Sequence, residues 1–599
     1  MQRRSLLRLL TFAAASELPS RGATARSRWF TGQSQPEADR VTPHGTGSGS
    51  GPQVFLNQVG YLPGQRKLAT VTGVPANESE FRVRRLEPAA GRPFQGTLTA
   101  AREDAASGDM LRLADFSGLS VPGRYVLEMD GLTSDPFSIA HDVYAGPLRT
   151  TMRAFYGQRC GCEVDLGGGY KHPACHAVGD YHPSSGKTGR VPNGGGWHDA
   201  GDYGRYVVNS GITCGTLLWA WELFPEVLRP LRLGIPQTHP HLPDFLAEVL
   251  WNLNWMMQLQ DGDGGVFQKQ TSVQFCGFVM PEQDRMPSEI IGTGSAPFKS
   301  TAATADFAAV MSIAARCFAS YELALSKRFL LAARRAWRWA SAHPAVTLRN
   351  PPGVSTGQYG DRDTTDELLW ASAELWRTTG EEVYRKAFLT SAELSRAKLR
   401  IDAPGWSSVA SLAYWTYALA HHPDRDEAQD AIRGATLDAA RRLVQKSEEN
   451  GYGNTLASHE YVWGSNGVAA NQSLLLAVAD RFQQDANFVD AALGNLHYLL
   501  GRNCHGVSFV TQIGTRPFEH PHHRPSVADG IAAPWPGMLS GGPNARPADE
   551  VAKQLPKLPP MRMWVDDERA YSMNEIAINW NAPLVFLLAF ANAISRRRT

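Results

Sequence analysis

Gly195-Gly196-Trp197-His198-Asp199-Ala200-Gly201-Asp202-Tyr203 packs two carboxylates three residues apart into a glycine-framed loop that opens onto an apolar run. Far downstream, Trp564-Val565-Asp566-Asp567-Glu568 leads through Tyr571 to Asn574-Glu575, just ahead of the apolar stretch from Ala577 to Ala593. Two separated acidic clusters suggest an acid and a base on opposite sides of one substrate bond. Glycoside hydrolysis needs such a pair: one carboxyl held protonated for the leaving oxygen, the other ionised to activate water. The plainer alternative is that Asp199 or Asp202 caps a helix starting near Gly204. The glycines and tryptophan around the pair weigh against it, because Gly lets backbones approach closely and an aromatic face can stack on a sugar ring.

Outward from this loop, the chain of 599 residues is long enough for a large catalytic core plus an accessory module. Its 59 basic and 58 acidic residues leave a net charge of +1, so no global field draws it to nucleic acid or a membrane surface. An uncharged substrate is expected. Residues 1–51 carry Arg3-Arg4 ahead of an apolar run from Leu9 to Ala15 and end in a Gly/Ser-rich stretch. They resemble a twin-arginine export signal followed by a flexible linker, which predicts an exported protein, periplasmic or secreted. No other stretch approaches the ~20 apolar residues of a spanning helix.

Residues 52–140 alternate over short apolar runs near 54–56, 68–71, 81–86, 123–128 and 136–139, a pattern that predicts a small all-β sandwich. Residues 141–599 turn helical. Segments long enough for helices fall near 147–159, 204–224, 243–259, 301–324, 328–342, 365–379, 382–398, 406–421, 427–446, 466–483, 487–501 and 575–596. An all-α catalytic domain follows, of an arrangement that periodicity alone leaves open.

Three motifs now converge. The Asp199-Ala200-Gly201-Asp202 loop is the first, and Ser508-Phe509-Val510-Thr511 through Gly514 and Arg516 to Pro521-His522-His523-Arg524 is the second. The third runs Trp564-x-Asp566, Tyr571, Glu575, Ala577, Asn581-Ala582. Together they resemble family 9 of the glycoside hydrolases, the cellulase group, in the subgroup with an N-terminal immunoglobulin-like domain. The resemblance implies an (α/α)6 toroid of six hairpins and an inverting endo-β-1,4-glucanase acting on cellulose-like β-glucan. It casts Glu575 as general acid and Asp202 as general base, with Asp199 helping to hold the water. Asp566 orients the site or makes a structural hydrogen bond, and His522 and Arg524 donate to sugar hydroxyls. Trp463 and Tyr571 are candidates for stacking on the sugar, with core packing as the alternative. The immunoglobulin-like part is expected to pack against the catalytic domain, and the protein to be a monomer. An exo-acting relative releasing glucose, cellobiose or glucosamine is the alternative activity, and a non-catalytic sugar binder the alternative class.

Cys160, Cys175-His176 and His198 form the soft donor set of a tetrahedral structural zinc, and their spacing resembles the zinc site of this subgroup. A Cys160–Cys175 disulfide and ligation by Cys162 in place of Cys160 are the alternatives. Tyr359-Gly360-Asp361 through Asp366-Glu367 resembles the family's calcium loop, with Asp361, Asp366 and Glu367 as hard oxygen ligands. A second acidic loop, Asp261-Gly262-Asp263, has similar chemistry and stays open. No organic cofactor is expected.

Overall fold

The computed structural model describes residues 51–597, apart from residues 76, 78, 88–90, 130, 193, 238, 396–398 and 421–425. The expected export signal, and all of the linker but Gly51, lie outside the described residues.

The N-terminal sandwich has two sheets. In one, strands Gln53–Phe55, Leu68–Thr72, Asp109–Asp115 and Arg102–Asp104 lie in that order. In the other, Gly60–Tyr61, Phe137–Ile139, Gly123–Met129, Glu80–Glu87 and Phe94–Thr97 follow one another, and Leu132–Thr133 pairs with Gly123–Met129. Alternation puts Phe81 and Val83 inward, where they join Tyr61, Phe116, Leu127 and Phe137 in the core. The sequence reading missed the strands at 94–97, 102–104 and 109–115, where polar and charged residues mask the period.

Twelve helices of ten residues or more follow among the described residues. They are α1 (Ala145–Gly157), α2 (Val207–Leu223), α3 (Asp244–Gln258), α4 (Thr301–Phe318), α5 (Leu323–Ala342) and α6 (Thr365–Thr379), then α7 (Glu382–Ser395), α8 (Ala410–Leu419), α9 (Glu427–Glu449), α10 (Ser465–Phe482), α11 (Ala486–Leu499) and α12 (Ile578–Arg597). Helices α2, α4, α8, α10 and α12 are buried along almost their whole length, and α6 over Leu369–Trp376. α2 packs on α4, α4 on α6, α6 on α8, α10 on α12 and α12 back on α2, while α9 touches both α8 and α10. Small residues permit this closeness: a Cβ at Gly215 of α2 would sit 2.6 Å from the Trp370 ring of α6. By length and composition α12 could cross a membrane, contrary to the sequence reading, yet 89% of its apolar window is buried inside the protein, as in a core helix.

Short strands that no alternation announced join the helices near the motifs. Arg205–Tyr206 pairs antiparallel with Lys269–Thr271 in a five-stranded sheet, so the chain leaving Asp202 enters a sheet before α2 begins.

The sandwich grips the helical domain through buried polar contacts. Asn57 Nδ2 donates to Tyr144 Oη at 3.1 Å, and Gln58 receives Arg516 N on Oε1 at 2.8 Å while its Nε2 donates to Gly506 O at 2.8 Å. Asp104 accepts Gly451 N at 2.7 Å, and Asp109 accepts the Tyr452 hydroxyl at 2.6 Å. Gln58 thus steadies the loop carrying the second motif from outside. Gln58→Ala strands a buried amide and a carbonyl, and is expected to cost about 1–3 kcal/mol of stability, read as a drop in Tm; an unchanged Tm would remove the brace.

Candidate active site

The two expected acid clusters meet in space. Asp199 O accepts Ile578 N at 2.9 Å, joining the first motif to the start of α12. His522 N donates to Asn574 O at 2.9 Å, and Arg524 holds Gly201 O through its main-chain N (3.2 Å) and its Nη1 (2.7 Å). A Cβ on Gly201 would lie 1.9 Å from His522 O, so only glycine fits there. Neither Asp199 nor Asp202 caps a helix: α2 starts at Val207 with Tyr206 at its N-cap and no side-chain cap.

Asp199 is buried, accepting Asn209 Nδ2 at 2.5 Å on Oδ1 and the Tyr359 hydroxyl at 2.7 Å on Oδ2. Burial and the neighbouring Asp202 charge push its pKa up to about 7, against the pull of the Tyr359 and Asn209 hydrogen bonds. Asp202 Oδ2 accepts Gly204 N at 3.0 Å and faces the Tyr206 hydroxyl at 3.4 Å. Glu575 is not in a helix, as the sequence reading had it, but in extended backbone (φ −59°, ψ 144°) between the turn Tyr571–Asn574 and α12. Burial first, then the Asp202 and Asp199 charges, hold its carboxyl well above the usual range; Arg524 and a hydrogen bond from Trp463 oppose this.

The remaining candidates divide. His522 gives Nδ1 to Glu568 O at 2.6 Å, packs on Tyr571 (5.8 Å between centroids), and is held below its usual pKa by burial. Trp463, 43% exposed, leans on Tyr571 at 5.3 Å. Arg524 is buried, with Nε and Nη2 on Cys276 O at 3.1 and 2.9 Å and Nη1 on Gly201 O. Those bonds commit three of its five side-chain N–H donors to positioning the base loop and the Cys276 loop. Asp566 accepts the main-chain N of Glu519 and of His520, both at 2.8 Å, and so ties the third motif to the second. Trp197, read as a possible sugar platform, is fully buried, with its Nε1 on Glu248 Oε1 at 2.9 Å.

Cys160, Cys175, His176 and His198 offer ligand atoms all within 4.8 Å of one another. His176 Nε2 faces Asp284 Oδ2 at 3.4 Å, which leaves its buried Nδ1 without a hydrogen bond, the state of an imidazole held from behind for a metal. Both thiols are free, so no Cys160–Cys175 bridge forms, and Cys162 lies outside the cluster. His523 is no ligand: its nitrogens meet Gln158 Oε1 at 3.0 Å and Ser526 Oγ at 2.9 Å.

The expected calcium loop brings in a residue the sequence reading did not anticipate. Asp306 of α4 and Glu367 of α6 are buried, and none of their four carboxylate oxygens, nor Asp361 Oδ2, has a hydrogen-bond partner. Burial and the charges of Asp366 and Asp361 hold Asp306 well above the usual carboxylate range. Asp366 instead accepts Val409 N at 2.7 Å. In the second acidic loop, Lys299 Nζ lies 2.8 Å from Asp261 and 2.9 Å from Asp263, and Lys187 also pairs with Asp261. Two ammonium groups already neutralise that loop.

Residues 144–588 match the glycosyl hydrolase family 9 profile, and residues 49–134 match the cellulase N-terminal ig-like domain. The chain belongs to glycosyl hydrolase family 9. It is 36% identical over 545 residues to endoglucanase D of Acetivibrio thermocellus, covering 90% of this chain and 83% of that one. To the xyloglucan-specific endo-beta-1,4-glucanase BoGH9A of Bacteroides ovatus it is 34% identical over 576 residues, covering 90% and 94%. Among solved structures, a Zn-binding triple mutant of the family 9 endoglucanase J30 superposes with a TM-score of 0.82 at 33% identity, covering 88% of this chain and 99% of that one. This family 9 chain is therefore a glycosidase of the cellulase group.

Sequence reasoning did not assign Tyr359, Asn209 and Lys269 to the site. Tyr359 was in view only as the first residue of the acidic loop; it adopts a left-handed φ of 42°. Gln268 Nε2 holds its carbonyl at 2.7 Å, and Lys269 Nζ, inside the protein, holds Gly357 O at 2.8 Å. Burial draws the Lys269 pKa down to about 7, against the pull of Asp202.

Because the folded Asp199 pKa of about 7 exceeds its ordinary 3.8, the folded state binds the extra proton, and stability is lost as pH rises between those values. Asp199→Asn is expected to raise stability at pH 8 by about 1–3 kcal/mol and to flatten the fall in Tm between pH 4 and 8. An unaltered pH dependence would contradict the assignment of that proton.

Proposed function

We propose that the protein is an inverting endo-β-1,4-glucanase acting on cellulose or a related β-glucan, with its helices closed into an (α/α)6 toroid whose loops carry the site. The observation that carries this reading is the contrast between its carboxyls. Glu575 is buried and feels the charges of two other acids that favour its proton, whereas Asp202 is fixed by a main-chain N–H and a phenol. In the proposed reaction Glu575 gives its proton to the leaving glycosidic oxygen. Asp202 takes a proton from the attacking water, which Asp199 helps to orient, and one displacement inverts the anomeric carbon. His522 and the Trp463–Tyr571 pair hold the sugar beside the cut bond. Random internal cleavage is favoured over chain-end action by the endo-acting relatives. Export by a twin-arginine route remains part of this reading.

Zinc suits the Cys160, Cys175, His176 and His198 set, where it would pin the residue preceding Asp199. Calcium suits Asp361, Asp366 and Glu367, joined by Asp306, whose bare oxygens need a cation or a proton.

Glu575→Gln is expected to cut turnover of unactivated cello-oligosaccharide by at least about a thousandfold while retaining binding in affinity gels; full activity would refute the acid role. Metal analysis of purified protein should give about one zinc per chain. A fully active, metal-free protein would remove the zinc assignment.

A further inference from the structure

The most exposed large aromatic rings among the described residues are Phe275 at 49%, Trp463 at 43% and Phe278 at 38%, and all three stand at the active site. Trp463 belongs to the reading above. Phe275 and Phe278 lie on the loop Val273-Gln274-Phe275-Cys276-Gly277-Phe278, to which no role has been given.

That loop is fixed rather than draped. Arg524 donates from Nε and Nη2 to Cys276 O, and the Tyr203 hydroxyl reaches Val279 O at 2.5 Å. The Arg524 guanidinium lies 5.7 Å from the Phe275 ring centre and 5.9 Å from that of Phe278, while its Nη1 holds Gly201 in the base loop. Phe278 meets His522 edge-on at 5.1 Å. Successive contacts therefore run Trp463–Tyr571–His522–Phe278, and Phe275 joins Phe278 through the Arg524 guanidinium that both rings flank. Exposed apolar rings held this rigidly, beside a polar catalytic centre, have the character of a preformed binding surface.

We propose that Phe275 and Phe278 form a further sugar subsite, which stacks on a glucosyl unit next beyond the one His522 holds at the cleaved bond and makes the enzyme favour longer chains. The proposal rests on the β-glucanase reading. Phenyl faces supply apolar area for the C–H face of a glucopyranose, and their rigidity limits the ordering cost of binding.

The test compares wild type, Phe275→Ala/Phe278→Ala and Phe275→Tyr/Phe278→Tyr on cellotriose through cellohexaose. The alanine pair is expected to lose about tenfold in kcat/KM on cellohexaose, with little loss on cellotriose, and the tyrosine pair to keep most of the wild-type gain with length. An alanine pair whose dependence on chain length parallels wild type would overturn the subsite. Calorimetric titration of cellohexaose in a Glu575→Gln background needs no turnover. There the alanine pair should bind about tenfold more weakly, and an unchanged Kd would equally overturn the proposal. A wild type that binds cello-oligosaccharides through these rings yet cuts none would sink the hydrolase reading and leave the subsite standing.

Discussion

The main-chain hydrogen bond from Ile578 N to Asp199 O is the contact on which the site depends, because it joins segments almost four hundred residues apart at the two ends of the catalytic domain. Its partners, His522 N to Asn574 O and Arg524 to Gly201 O, bring in the second motif and complete a three-way stitch. Apart from the Arg524 guanidinium the stitch is made of backbone, so side-chain identity matters there and where it allows close approach, as at Gly201. The acid and the base are then placed by segments that cannot move independently. Catalysis by positioning requires this, since small displacements of reacting groups are costly in rate.

Around the stitch, burial supplies the electrostatics. Removing carboxylates from water raises their proton affinity, and mutual repulsion adds to the effect at Asp199 and Glu575. Asp202 stays near protein donors, and its charge works against the burial that draws the Lys269 pKa down to about 7. The β-sandwich contributes from outside by bracing the loops through Gln58, Asp104 and Asp109. It works as a structural buttress.

Much of the fold was legible because the helices obey strong periodicity: all twelve expected segments are helical, most within a few residues of their expected ends. The error at 301–324 came from an apolar run that continues past Phe318 into a turn. The strands Arg205–Tyr206 and Lys269–Thr271 were invisible, since two or three residues carry no alternation. The cluster of Cys160, Cys175, His176 and His198 was readable because thiols and imidazoles are rare and chemically specific. Asp306 was not, as one acid in an alanine-rich helix gives no sign of the loop it faces. Trp197 and Arg524 show the converse limit: the aromatic type suggested stacking on sugar at Trp197, which is fully buried with its N–H on Glu248, and the resemblance gave Arg524 as a sugar donor without the local carbonyls that take three of its five N–H groups. Satisfaction of hydrogen bonds decided these cases, and it depends on neighbours distant in sequence.

The central claim is a single displacement between Glu575 and Asp202. Proton NMR of the anomeric signals during the first minutes of cellopentaose hydrolysis tests it most directly, before mutarotation equilibrates the products. The account predicts that the new reducing ends appear first as the α-anomer. Initial release of the β-anomer would mean a retained configuration and a covalent intermediate, which would contradict the roles given to both carboxylates.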